Sequence, residues 1–163
     1  MSPRFSLFSL LALLLLLLPG CKTMDNGTTW QGIQSVKISD SVKAEEPGDY
    51  WIGRRYYKVD YKFWGYVKRP GQPWSTAKLV MMNEQSKLAP DRALGHLGSD
   101  NGYEYKLIGD FSGDTVYEPA SNGMYPEFVL KGYEMRSISP PAIFREPGAL
   151  DPTRRLIVKP VDR

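Results

Sequence analysis

The sequence predicts a mainly β chain: a small antiparallel barrel or sandwich, with an extended N-terminal tether before it and a proline-rich C-terminal arm after it. Three observations carry this. Apolar and polar residues alternate with a period of two in several segments, separated by clusters of Gly, Pro, Asn and Asp. No segment sustains a helix-period apolar stripe over three turns. The 163 residues are 42% hydrophobic and 24% charged, the profile of one ordinary globular domain with one core.

Taken in order, Lys22 to Thr29 is polar and aperiodic and reads as a tether. A weak strand at Ser35 to Ser39 carries Val36 and Ile38. The clearest strand spans Tyr56 to Lys68. Tyr57, Val59, Tyr61, Phe63 and Val67 alternate onto a core face with Gly65, while Lys58, Asp60, Lys62 and Lys68 face outward together with Trp64 and Tyr66. Gly65 inside that run suggests a bulge or bend. Pro70 to Pro73 breaks the chain, and Ala77 to Asn83 is a short apolar strand covered on both sides. The pattern lapses from Glu84 to Gly102, with one helical turn expected near Lys87 to Leu94. Tyr103, Tyr105, Leu107 and Phe111 resume the alternation up to a turn at Ser112 to Asp114, followed by Thr115 to Tyr117. Asn122-Gly123 is a two-residue hairpin signal, and Phe128 to Met135 is the next strand. From Pro140 to the end the chain holds five prolines and one apolar run, Leu156 to Val158, which reads as an extended arm with room for an edge strand. The resulting organisation is a signal segment at 1–20, Cys21 and tether at 21–29, one β domain at 30–139 and the arm at 140–163.

The order of long bent strand, short strand, loop and two strands joined by a turn resembles an OB-like barrel over Tyr56 to Arg136, with an SH3-like barrel or small sandwich fitting the spacing as well. Fold of this kind does not supply function.

The most informative segment for location is the first one. Arg4 precedes an apolar run from Phe5 to Leu18, long enough for a secretory h-region and short of the roughly 20 residues a spanning helix needs. Leu18-Pro19-Gly20-Cys21 follows directly and resembles the lipobox of bacterial lipoproteins, although Pro19 departs from the small residue usual there. No A-x-A-like cleavage site follows the run, and Cys21 is the one Cys of the chain. The resemblance implies a mature protein beginning at an acylated Cys21, its acyl chains (palmitate among them) inserted in membrane lipid. Two or three chains at roughly 0.8 kcal/mol per buried methylene anchor firmly. Lys22 stands where Asp would retain such a protein in the inner membrane, so the resemblance implies the outer membrane, facing the periplasm.

Charge and composition narrow the chemistry. With Arg4 removed alongside the signal segment, the mature chain keeps a net charge of +2, too balanced for a dedicated nucleic-acid binder. A single Cys excludes a disulfide framework. The one His, His96, sits in Gly95-His96-Leu97-Gly98 without a partner at ligand spacing. Asp100-Asn101-Gly102 and the Asp110/Asp114 pair are turn residues that lack the spacing of a calcium loop. Glu104, Asp110, Glu118 and Glu127 are available as acids, with nothing to bring any two together. No phosphate loop or nucleophile elbow occurs. No metal and no cofactor is implied.

One local feature stands out. Tyr50, Trp51, Tyr56, Tyr57, Tyr61, Phe63, Trp64 and Tyr66 fall within 17 residues, interleaved with Arg54, Arg55, Lys58, Lys62, Lys68 and Arg69. Flat rings beside cations suit stacking on sugars or capture of anionic polymers, and strand packing also favours aromatics. Trp64 and Tyr66, on the charged face, with Arg54, Arg55 and Lys68, are the candidate ligand-binding residues. The reading is therefore a lipid-anchored envelope lipoprotein with a non-catalytic binding or structural β domain that meets envelope proteins. The alternatives are a peptidoglycan or glycan-binding module using exposed aromatics, and a hydrolase with an unrecognised site.

Overall fold

The computed structural model describes residues 45–162. Five strands, β1 (Trp51–Arg55), β2 (Gly65–Lys68), β3 (Lys78–Asn83), β4 (Glu104–Glu118) and β5 (Gly123–Ser137), close a barrel in the order β1-β2-β3-β5-β4. All neighbours are antiparallel except β3 and β5, which run parallel with Met82 opposite Phe128. This is the OB-like order among the barrels that the spacing allowed. One short helix, α1 (Pro90–Ala93), lies between β3 and β4. Pro90 starts it where a missing N–H costs nothing, and Gly95, in left-handed backbone at φ 70°, ends it.

Two cores result. Inside the barrel, Trp64, Val67, Val80, Tyr105, Leu107, Phe128 and Leu130 interdigitate, with Ala89 beneath. Outside β2 and β3, Tyr56, Phe63 and Tyr66 form a second cluster with Ile143, Phe144 and Ala149 from the C-terminal arm, joined by Leu79, Met81, Tyr125, Ile157 and Val158. A barrel wall that is apolar on both faces needs a cover, and the arm is that cover.

The structure redraws several expected elements. The run 56–68 is not one strand: 56–64 is an irregular loop between β1 and β2. Val59, expected inside, is 59% exposed, and Trp64, expected outside, is 3% exposed, because alternation has no meaning where the ladder is absent. Gly65 is no bulge. It opens β2 opposite Arg55, and a Cβ there would fall on the Arg54 carbonyl oxygen and within 2.8 Å of the Tyr56 nitrogen. Tyr66 and Lys68 do point outward, yet both are buried, since the outer face is covered.

β3 and α1 fall where expected, although Val80 alone of β3 is fully buried. Ser112 to Asp114 is a register shift inside a single 15-residue strand, so the expected turn is a bulge. Asn122-Gly123 does mark the β4–β5 hairpin, but the loop is the four residues 119–122, with Asn122 left-handed at φ 51° and Gly123 already paired to Glu118. Among the described residues the arm adds no strand. The expected segments 1–20, 21–29 and the Ser35–Ser39 strand lie outside the described residues.

Gly65→Ala should lower the denaturant midpoint, by about 2–3 kcal/mol of stability, because the colliding atoms are backbone and cannot swing away. A wild-type urea midpoint would show that the two strands can separate at that point.

Candidate functional site

The five candidate residues come together, but inside the protein. β1 alternates, so Arg54 and Arg55 leave it on opposite faces. Arg55 points to the end of the barrel beneath α1. Its Nη2 donates to Asp91 Oδ2 at 2.9 Å, its Nη1 to the Trp64 carbonyl, and its Nε lies 3.3 Å from Asp100 Oδ1. Tyr105 donates its hydroxyl to the other Asp100 oxygen at 3.0 Å. Asp91 also accepts from the Gly98 and Arg92 amides at 2.9 Å each. Two carboxylates and one guanidinium thus share one dry volume.

Arg54 faces the arm. Its Nη2 donates to Glu104 Oε2 at 2.6 Å and its Nη1 to the Pro141 carbonyl at 2.9 Å. Burial pulls its affinity for a proton down, and Glu104 works against that. Lys68 Nζ meets Glu45 Oε2 at 2.5 Å, and both Lys68 and Arg54 lie over the Trp74 ring, at 5.1 and 5.2 Å. Arg55 lies over Tyr57 and Trp64. The interleaved cations and rings therefore do form cation–π contacts, with each other rather than with a ligand.

Trp64 and Tyr66 are each 3% exposed. Neither ring presents a face to solvent, so the exposed stacking platform is replaced by core: Trp64 in the barrel interior, Tyr66 in the second cluster. Tyr66 donates its hydroxyl to the Val158 carbonyl at 3.0 Å, and burial pushes its ionisation upward.

The four candidate acids are dispersed. Glu104 serves Arg54 and lies 3.6 Å from Arg136, Asp110 meets Lys131, and Glu127 accepts from Asn83. Glu118 is buried at the hairpin. Burial opposes its charge, but bonds from Ser121, Ala120 and the Lys62 amide outweigh that and hold it below the usual carboxylate range. His96 is exposed on the turn after α1. Asn101 fixes the loop, accepting from the Tyr57 amide and donating to the Leu150 carbonyl. Among the described residues no three His, Cys, Asp or Glu side chains gather to hold a metal.

Sequence reasoning missed Asp91, which reads as an ordinary first-turn helix acid, and Lys58 as a buried group. Lys58 Nζ donates to the Ala149 and Asp151 carbonyls at 2.7 Å each, with burial lowering its pKa against the pull of Asp151. Nothing in the local pattern marks either. A cavity of about 390 Å³ lies between the arm and the β3–β4 loop, lined by Arg54, Asn101, Ile138, Phe144, Glu146 and Asp151 among others.

Fold and site together define a five-stranded OB-like barrel whose outer face is closed by its own C-terminal arm. Comparison with protein-family models, with curated proteins and with solved structures finds no match to this chain.

The two aspartates should respond oppositely to neutralisation. For Asp91, burial resists charge, but Arg55 and the two amides win and hold the carboxyl low, so its stabilising effect is present above the unfolded carboxylate range and lost as pH falls through the folded value. For Asp100, burial and the Asp91 charge outweigh Arg55 and Tyr105 and push the carboxyl up, so the favourable state is the protonated one and is lost as pH rises through the raised value. Asp91→Asn should cost about 3 kcal/mol at pH 7, whereas Asp100→Asn should cost nothing or stabilise. Urea unfolding of both at pH 7 checks this, and equal losses would contradict it. Trp64→Ala should lose about 3–5 kcal/mol, as for any large ring removed from a core.

Proposed function

We propose that this chain is a lipid-anchored envelope lipoprotein whose barrel is a non-catalytic binding or structural module working among other envelope proteins, on the periplasmic face of the outer membrane. The observation that carries the non-catalytic part is the fate of the buried charges. Arg54, Arg55, Lys58, Lys68, Asp91, Asp100 and Glu118 are the buried charged side chains among the described residues, and each bonds to a group of the same chain, with Arg54 Nε left without a hydrogen bond. Such groups staple segments together. A general acid or nucleophile needs, besides a perturbed pKa, a place for substrate within hydrogen-bond reach.

The anchoring part rests on Leu18-Pro19-Gly20-Cys21 after the apolar run. The polar, aperiodic tether read at Lys22 to Thr29 follows that anchor.

Cys21→Ser should move the protein from the membrane fraction to the soluble periplasmic fraction, and the N-terminal peptide should lose the mass of its acyl chains. Unchanged fractionation and mass in that variant would sink the anchor.

A further inference from the structure

The arm is held in an unusual way. It forms no ladder with any strand, and the barrel grips it by its carbonyl oxygens. Tyr61, Tyr56 and Tyr66 donate their hydroxyls to the carbonyls of Arg155, Leu156 and Val158, at 3.2, 2.7 and 3.0 Å. Lys58 takes those of Ala149 and Asp151, and the Val59 amide takes that of Pro152 at 3.0 Å. In return one arm amide, Val158, donates to the Tyr56 hydroxyl at 3.3 Å. The stretch 149–158 contains one proline, Pro152, so what sets this contact apart is that the barrel meets the arm's carbonyls with side-chain donors and one amide instead of a strand ladder.

Beneath the arm, Tyr56, Phe63 and Tyr66 are almost wholly buried, and lifting the arm would expose them with Leu79 and Met81. An uncovered apolar face of that kind does not stay uncovered in a soluble domain. The group that matches it in shape and in carbonyl spacing is the same arm on another molecule. The arm leaves β5 through exposed Ile138 and Ser139 into Pro140-Pro141, a stiff connection at which the direction of exit is set. Exchange of an identical terminal element remakes every contact, so it costs little beyond association.

We propose that this tyrosine face also accepts the C-terminal arm of a second copy, so that copies of the chain associate by exchanging arms. The proposal goes beyond the anchor reading and does not depend on it. Anchoring would strengthen the exchange by confining copies to one surface, where effective concentration is high.

Ser75 and Asp162 supply the test. The Ser75 amide donates to Asp162 Oδ1 at 3.0 Å, and both residues are exposed, so substitution there leaves the core intact. Full-length chains in a Cys21→Ser background carry either Ser75→Cys or Asp162→Cys, so each has one thiol. They are concentrated together under mild oxidation and resolved by mass. Arm exchange predicts that the mixed 75–162 disulfide exceeds the 75–75 and 162–162 products combined, and that Ile157→Asp in the arm-donating chain reduces it. Mixed product no greater than the combined homodimers, the level of random collision, would overturn the proposal. A chain carrying both substitutions must close its own disulfide when dilute. If it does not, the arm is not seated as required and the proposal also fails. Because Cys21 is absent throughout, none of these results bears on the lipid anchor.

Discussion

Two successive arginines on β1 set the terms for the rest of the structure. Because a strand alternates, Arg54 and Arg55 must leave on opposite sides, and here both side chains are buried. A guanidinium does not shed its charge in a protein, so each face must supply acceptors. On the inside, Asp91 and Asp100 close over Arg55, which brings α1 and the β3–β4 loop down on the barrel end. On the outside, Glu104 and the Pro141 carbonyl meet Arg54, which fixes where the arm begins its path. A well-packed apolar pair could match the net stability of such buried ion pairs. What an apolar pair could not do is demand particular partners at particular places. The arginines tie two remote segments to one strand, and these segments cap the end and cover the side of the barrel.

The legibility of the fold follows from this arrangement. β3, the β4–β5 hairpin and α1 were readable because each is local: a short apolar run, Asn122-Gly123 and a single helical turn each fall within a few residues. The segment 56–64 misled because its alternation is genuine in composition while its backbone is irregular and reaches a strand only at its end, where the Trp64 amide donates to the Val80 carbonyl. Tyr57, Val59, Tyr61 and Phe63 are spaced like a strand's core face, yet their burial is decided by what lies over the loop, which is residues 149–158. The bulge at Ser112 to Asp114 looked like a turn for a related reason: Gly113 permits both, and only the continuing register with β5 distinguishes them.

The candidate site was legible in chemistry and not in location. Trp64, Tyr66, Arg54, Arg55 and Lys68 do cluster, and cations do sit on rings. Period-two reading assigns a side chain to a face, and for Tyr66 and Lys68 it assigns the right one. Exposure is a separate property, set by residues about 90 positions away: the Tyr66 hydroxyl ends on the Val158 carbonyl. No window of sequence around β2 contains that information. Asp91 is hidden for the same reason, since its partner Arg55 lies 36 residues before it and on another element.

The proline-rich arm, read as an extended segment with room for an edge strand, is a cover that pairs with no strand. An ordinary extended segment laid against a sheet would add a strand or bury unpaired amides, each an expense in a dry contact. In the stretch 149–158 Pro152 removes one amide and the Val158 amide is taken by the Tyr56 hydroxyl, while the carbonyls are met by groups long enough to reach them from the barrel: tyrosine hydroxyls and a lysine. The aromatic concentration around residues 50–66 thus has a physical reason within the fold. Tyrosine supplies a large apolar ring for the second core and a donor at its tip for a chain that mostly accepts. Phenylalanine in place of Tyr56, Tyr61 and Tyr66 would pack as well and leave the carbonyls of Leu156 and Val158, both part-buried, without partners. The choice of tyrosine over phenylalanine on this face answers that hydrogen-bonding constraint.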